Sequence, residues 1–170
     1  EEPDFDVREY YSANFPNRAY LPLGPRMDAW ASLEKIRGTP DFVPKKSSER
    51  KYAFNAIFSQ STDKGRRLLA RQLKTTRSAL STFASMAKGW AQDPNDPRNA
   101  LLDTDSYAEV LLDSVFTLSP AGHNPECFRL FEAVESGSIP ILVRNNLHQR
   151  WPCNQGLVHW HDTPIVVLES

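Results

Sequence analysis

Arg129 and Glu132, three residues apart, carry the strongest chemical signal in the chain. They follow the loop SPAGHNPE, residues 119–126, inside the run DSVFTLSPAGHNPECFRLFEAVESGSIPILV, residues 113–143. A guanidinium in the first turn of a helix, beside unbonded backbone N–H groups, suits a phosphate. The amides and the helix dipole favour an anion, and the planar fork can hold two of its oxygens. Glu132 lies on the neighbouring face, where a carboxylate could accept hydrogen bonds from ribose hydroxyls. On residue types alone, an Arg–Glu surface pair on an ordinary helix is the slightly favoured reading.

Other groups are weaker. In the run 59–67, SQSTDKGRR, the hydroxyls and Arg66 or Arg67 could meet a diphosphate across a sheet edge. A polar turn before a solvated helix is the commoner meaning. In the run His159, Trp160, His161, Asp162 the two histidines would share a face of an extended segment, but no partner cluster is evident and no metal is expected. Trp151 and Trp160, with Asn145, Asn146, His148 and Gln155, could stack a sugar or base. For Trp160, closing the loop onto the core is the plainer role. Cys127 and Cys153 lack zinc-site spacing; two free thiols and one bridge stand about even. No Ser-His-Asp elbow, Walker loop or GxGxxG occurs, which argues against common hydrolase, P-loop and dinucleotide chemistry.

These residues need elements to hold them. Residues 52–58, YAFNAIF, form a buried-strand candidate. A helical pattern follows from Asp63 to about Ala87, with Leu68, Leu69, Leu73, Leu80 and Phe83 roughly on one face and Arg66, Arg67, Arg71, Lys74 and Arg77 around the others. A short strand is expected near Gly89–Gln92. A helix follows over Asp105–Ser114, capped by Asp105 or Ser106, then a strand Val115–Leu118. The next helix starts at Pro125 or Glu126 and runs to Ser136, with Gly137 closing it. Strands Ile139–Val143 and Ile165–Leu168 flank a polar loop, 144–163. A further short strand is expected at Ala19–Leu23, and 26–50 reads as mostly irregular with one helical turn near Ala29–Lys35. Continuously apolar strands alternating with helices predict an α/β fold, a Rossmann-like parallel sheet covered on both faces.

The chain has 170 residues, 40% of them hydrophobic, and a net charge of −1. That is enough for one domain with a real core, and the charge balance gives no nucleic-acid footprint. Two segments are expected: 1–50 as a connecting strand and irregular lead-in, and 51–170 as the binding domain. The chain starts at Glu1 without Met, and we read it as a piece of a longer protein.

At residues 119–143 the pattern resembles the donor-binding segment of exostosin-type glycosyltransferases. It is similar above all to their ribitol xylosyltransferase branch, in Glu126, Cys127, Phe128, Arg129, Phe131, Glu132, Ala133 and then Gly137, Ser138, Ile139, Pro140. Weaker similarity covers Leu21–Gly24, and Phe54–Phe58 with Arg66 and Arg67. The resemblance implies the C-terminal half of a GT-B enzyme that binds a UDP-sugar as substrate and has no other cofactor. Arg129 and the backbone near Glu126 and Cys127 would contact the diphosphate, and Glu132 the ribose. Gly122, His123 and Asn124 would line the loop, with Ser59 and Arg66 opposite. The implied partners are a glycan or polyol acceptor and an N-terminal GT-B half, without which the piece would be inactive. The implied location is the Golgi lumen, in a membrane-anchored parent, and the cysteines tilt towards a bridge. Ala121 stands where many exostosins carry Arg, and the Glu-x7-Glu pair of several retaining enzymes is missing. No catalytic base is in view. The rival readings are a non-catalytic relative kept as a scaffold and an unrelated flavodoxin-like nucleotide-binding domain.

Overall fold

The structure, a computed structural model, describes residues 23–75, 79–88, 102–122, 127–143 and 164–168. In chain order its elements are α1 (Met27–Arg37), β1 (Tyr52–Ser59), α2 (Lys64–Thr75), β2 (Thr82–Ala87), α3 (Thr104–Leu112), β3 (Ser114–Leu118), α4 (Phe128–Glu135), β4 (Ile139–Val143) and β5 (Val166–Leu168), with a 3-10 turn at Ser47–Glu49. The strands form one sheet in the order β2-β1-β3-β4-β5, and every neighbouring pair is parallel. This is the expected α/β, Rossmann-like arrangement.

Alternate residues of β1 face opposite layers, as the two-residue repeat of a strand requires. Ile57 packs with Ala29 of α1 and with Tyr107, Val110 and Leu111 of α3. Ala56 and Phe58 turn the other way, onto Ala70, Leu69 and Leu73 of α2. On the β4 side, Leu130 and Phe131 of α4 pack with Leu142 and Ile165. A central strand covered on both faces must be apolar on both, which is why 52–58 reads as a continuous run.

One polar row crosses this core. Asn55 Nδ2 donates to Thr117 Oγ1 at 2.8 Å, and Thr117 Oγ1 lies 2.7 Å from Ser138 Oγ. All three residues are fully buried, and Asn55 Oδ1 meets no partner among the described residues.

Three elements depart from the sequence reading. The helix expected to run to Ala87 is described as far as Thr75, and 82–87 is the edge strand β2, paired along β1 from Phe54 to Ser59. The strand expected at Gly89–Gln92 lies outside the described residues. The expected turn near Ala29–Lys35 is a full helix of 11 residues, α1, lying on α3 with Ala29, Ser32 and Leu33 buried. The cap of α3 is Asp103 rather than Asp105 or Ser106; its carboxylate accepts from Ser106 N at 2.9 Å and Ser106 Oγ at 2.8 Å. At α4, Gly137 does follow the C-cap, with φ of 66°, the left-handed value that glycine takes without steric cost.

Candidate functional site

The C-terminal ends of β1 and β3 are adjacent in the sheet. From β1 the chain leaves through α2 to one side of the sheet; from β3 it leaves through α4 to the other. In open α/β sheets the crevice at such a divergence is the ligand site. Residues 59–63 and 119–122, with Cys127, border it.

Arg66, in the first turn of α2, holds the two loops together. It is buried, and its Nε donates to Ala121 O at 2.8 Å and Pro120 O at 3.3 Å. Its Nη2 donates to Pro120 O at 3.0 Å and its Nη1 to Ser59 O at 3.3 Å. Burial, and next the charge of Arg129, lower its pKa to about 10, against weaker opposing effects of Cys127 and Asp63. Gly122 lets the backbone come this close: a Cβ there would stand 3.0 Å from Nη2. Ser59 Oγ turns to Ser61 Oγ at 3.0 Å and so supports the same loop.

Arg129 stands on the other side, in the first turn of α4. Its Nε and Nη1 are buried yet meet no acceptor among the described residues. The N-cap of α4 is Cys127, whose side chain does not cap the helix; its Sγ sits 3.3 Å from Ser119 Oγ. The opening amides of α4 therefore keep no side-chain cap at the sheet edge. Uncapped amides beside unused guanidinium donors form a receptor for an anion such as phosphate.

Glu132 is placed differently from Arg129, buried with 1% of its surface exposed. Its Oε1 accepts from Arg26 Nε at 2.9 Å and Arg26 N at 3.3 Å, and its Oε2 from the Tyr107 hydroxyl at 2.5 Å. The Arg26 guanidinium also lies over the Tyr107 ring, 5.4 Å from its centre. Burial raises the Tyr107 phenol above its usual range; Arg129 opposes this and Glu132 reinforces it, so the phenol stays a donor. Burial would lower Arg26, but Glu132 outweighs it and the guanidinium is held charged. Arg129 thus acts electrostatically on both Arg66 and Tyr107.

The structure brings together Arg129, Arg66, Ser59, Cys127 and Gly122. His123, Asn124 and Glu126 lie outside the described residues, as do Cys153, Trp151, Trp160, His159 and His161. Among the described residues Cys127 forms no disulfide, and no three His, Cys, Asp or Glu residues gather as metal ligands. Arg26 and Tyr107 were not anticipated. They reach Glu132 from 106 and 25 residues away, and no local pattern announces such contacts.

Fold and site together define an open, parallel α/β domain with two arginines, Arg66 and Arg129, at the C-terminal edge of its sheet. The profile of the RXYLT1 C-terminal domain family matches residues 37–170, and the chain belongs to that family. Ribitol-5-phosphate xylosyltransferase 1 of Homo sapiens is 30% identical over 122 residues, 72% of this chain and 26% of that protein. The Mus musculus protein of the same name is 32% identical over 94 residues, 55% of this chain and 20% of that protein. The chain spans about a quarter of the length of the curated relatives it matches. Among the described residues no helix is long and apolar enough to cross a membrane.

Proposed function

We propose that this chain is the donor-binding part of a glycosyltransferase, holding a UDP-sugar for transfer to a glycan or polyol hydroxyl. The observation that carries this is Arg129, with two buried donors lacking an acceptor beside the uncapped start of α4. The relatives, named as ribitol-5-phosphate xylosyltransferases, support the reaction class. In this reading the domain is the C-terminal half of a GT-B enzyme, an N-terminal half completes the cleft, and the parent works in the Golgi lumen.

The chemistry is displacement at the anomeric carbon. As the bond from sugar to diphosphate breaks, negative charge grows on the leaving oxygen. Arg129 and the α4 amides would meet that charge, while Arg66 keeps the loops in place. Preorganised donors of this kind are worth about 3 kcal/mol each. The backbone near Glu126 and Cys127 would add to the diphosphate contact, and His123 and Asn124 would line the loop over the sugar or phosphate. Glu132 would take ribose hydroxyls only by exchanging one of its present partners, Arg26 or Tyr107.

Calorimetric titration of the full chain tests this. UDP should bind, and Arg129→Ala should weaken it about tenfold or more while changing uridine little, because a charge-assisted contact contributes about 1.5–3 kcal/mol. Equal UDP affinity in the variant sinks the reading. Binding of FMN in place of UDP points instead to a flavodoxin-like module, whose strand order this sheet shares.

A further inference from the structure

The outward face of α2 carries a second concentration of positive charge, separate from the donor edge. Lys64, Arg67, Arg71 and Lys74 are all exposed, and the helix KGRRLLARQLKT contains no carboxylate. At about 100° per residue the four fall within an arc of about 80°, in a row about 15 Å long. The side chains that anchor α2, Arg66, Leu69, Ala70 and Leu73, lie on the opposite side. None of the four cations forms an ion pair among the described residues. Elsewhere, Arg26, Lys35, Arg37 and Lys45 each meet a carboxylate. The whole chain is slightly acidic, so this row is not a by-product of a basic composition.

We propose that this row is a track for an extended, phosphate-bearing acceptor chain. The occupant follows from charge and position. Four unpaired cations along one helix match a line of phosphates, not a neutral glycan. Lys64 directly follows the loop that borders the donor edge, so the row begins where an acceptor would arrive and leads away from it. The relatives are named for a phosphorylated polyol, ribitol 5-phosphate. The proposal rests on the glycosyltransferase reading for its occupant, but the surface and its charge do not depend on it.

The test uses the full chain and a synthetic phosphodiester-linked oligomer of ribitol 5-phosphate, followed by fluorescence anisotropy at several salt concentrations. The variant K64Q/R67Q/R71Q/K74Q should bind the oligomer about tenfold more weakly, the sum of four modest exposed pairings. Its salt dependence should flatten, since screened charges have been removed. R67K/R71K should bind as the parent does, and all variants should keep their UDP affinity, which also certifies their fold. Unchanged oligomer binding by the fourfold variant overturns the proposal. So does flotation with phosphatidylserine vesicles without oligomer binding; Leu68, 57% exposed beside the row, would then be a membrane contact. Failure of the donor reading is seen separately, as UDP binding that survives Arg129→Ala.

Discussion

Two arginines fasten this sheet, one at each end, and they differ in charge balance. At the N-terminal edge Arg50 Nη1 donates to Ser114 O at 2.7 Å and Nη2 to Ser136 O at 3.5 Å, beside Gly137, where a Cβ would stand 3.0 Å from Nη2. At the C-terminal edge Arg66 makes the corresponding contacts to Ser59, Pro120 and Ala121, beside Gly122. Both are lowered by burial, but next in weight at Arg50 is the carboxylate of Asp113, acting in the other direction, whereas at Arg66 it is a second guanidinium, Arg129, which adds to the effect ahead of the opposing Cys127 and Asp63. Asp113 is itself tied to Lys45 and the Lys51 amide, so the lower edge is electrostatically closed. Fastening a loop does not require surplus charge. The surplus at the upper edge is what the proposed anionic donor would neutralise.

Alanine substitution of the two arginines gives the largest contrast. Arg66→Ala strands three carbonyls and should cost about 3 kcal/mol of stability and abolish UDP binding, whereas Arg50→Ala strands two, at Ser114 and Ser136, and should cost about 2 kcal/mol but leave binding intact. Urea unfolding and calorimetry read both, and equal losses of binding would erase the distinction.

The glycines should separate the edges next. Gly137→Ala forces a side chain into a left-handed backbone and should cost about 1–2 kcal/mol with unchanged UDP affinity. Gly122→Ala meets a guanidinium that cannot retreat, so it should lower UDP affinity severalfold for less than that loss of stability. A Gly122→Ala protein with full affinity would show that the position of Arg66 does not matter to the ligand.

The pH response should be smallest. Arg66 titrates from about 10 in the free protein, and a bound anion would raise that value. Binding then takes up a proton near and above pH 10, so UDP affinity should be flat below about pH 9 and fall as pH rises through about 10. The sign for folding is opposite: a depressed base binds fewer protons when folded, so this group alone makes the protein gain stability as pH rises above about 10. An affinity that rises above pH 10 would falsify the assigned charge state.

Much of this was legible in the sequence because the signals were local. The apolar runs of β1, β3 and β4, the Gly137 stop and the pairing of a loop with Arg129 all sit within a few residues. The edge strand β2 was not legible, since TFASMA is short and rich in small residues, and Phe83 continues the helical spacing of Leu69 and Leu73. Nor was α1, whose buried stripe is narrow, with Ala29, Ser32 and Leu33 its buried members. Glu132 was singled out, but its engagement by Arg26 and Tyr107 depends on contacts across the fold.

The buried row Asn55, Thr117 and Ser138 has a consequence for how the strands find their partners. Where both faces of a sheet are apolar, sliding one strand by two residues keeps the same faces buried, and hydrophobic contact barely punishes the error. Here the error would leave an amide and two hydroxyls without partners in a dry interior, at about 1–3 kcal/mol for each stranded group. Three polar side chains thus act as an alignment mark through β1, β3 and the approach to β4. By fixing that alignment they also fix where the helix starts bearing Arg66 and Arg129 stand beyond the sheet.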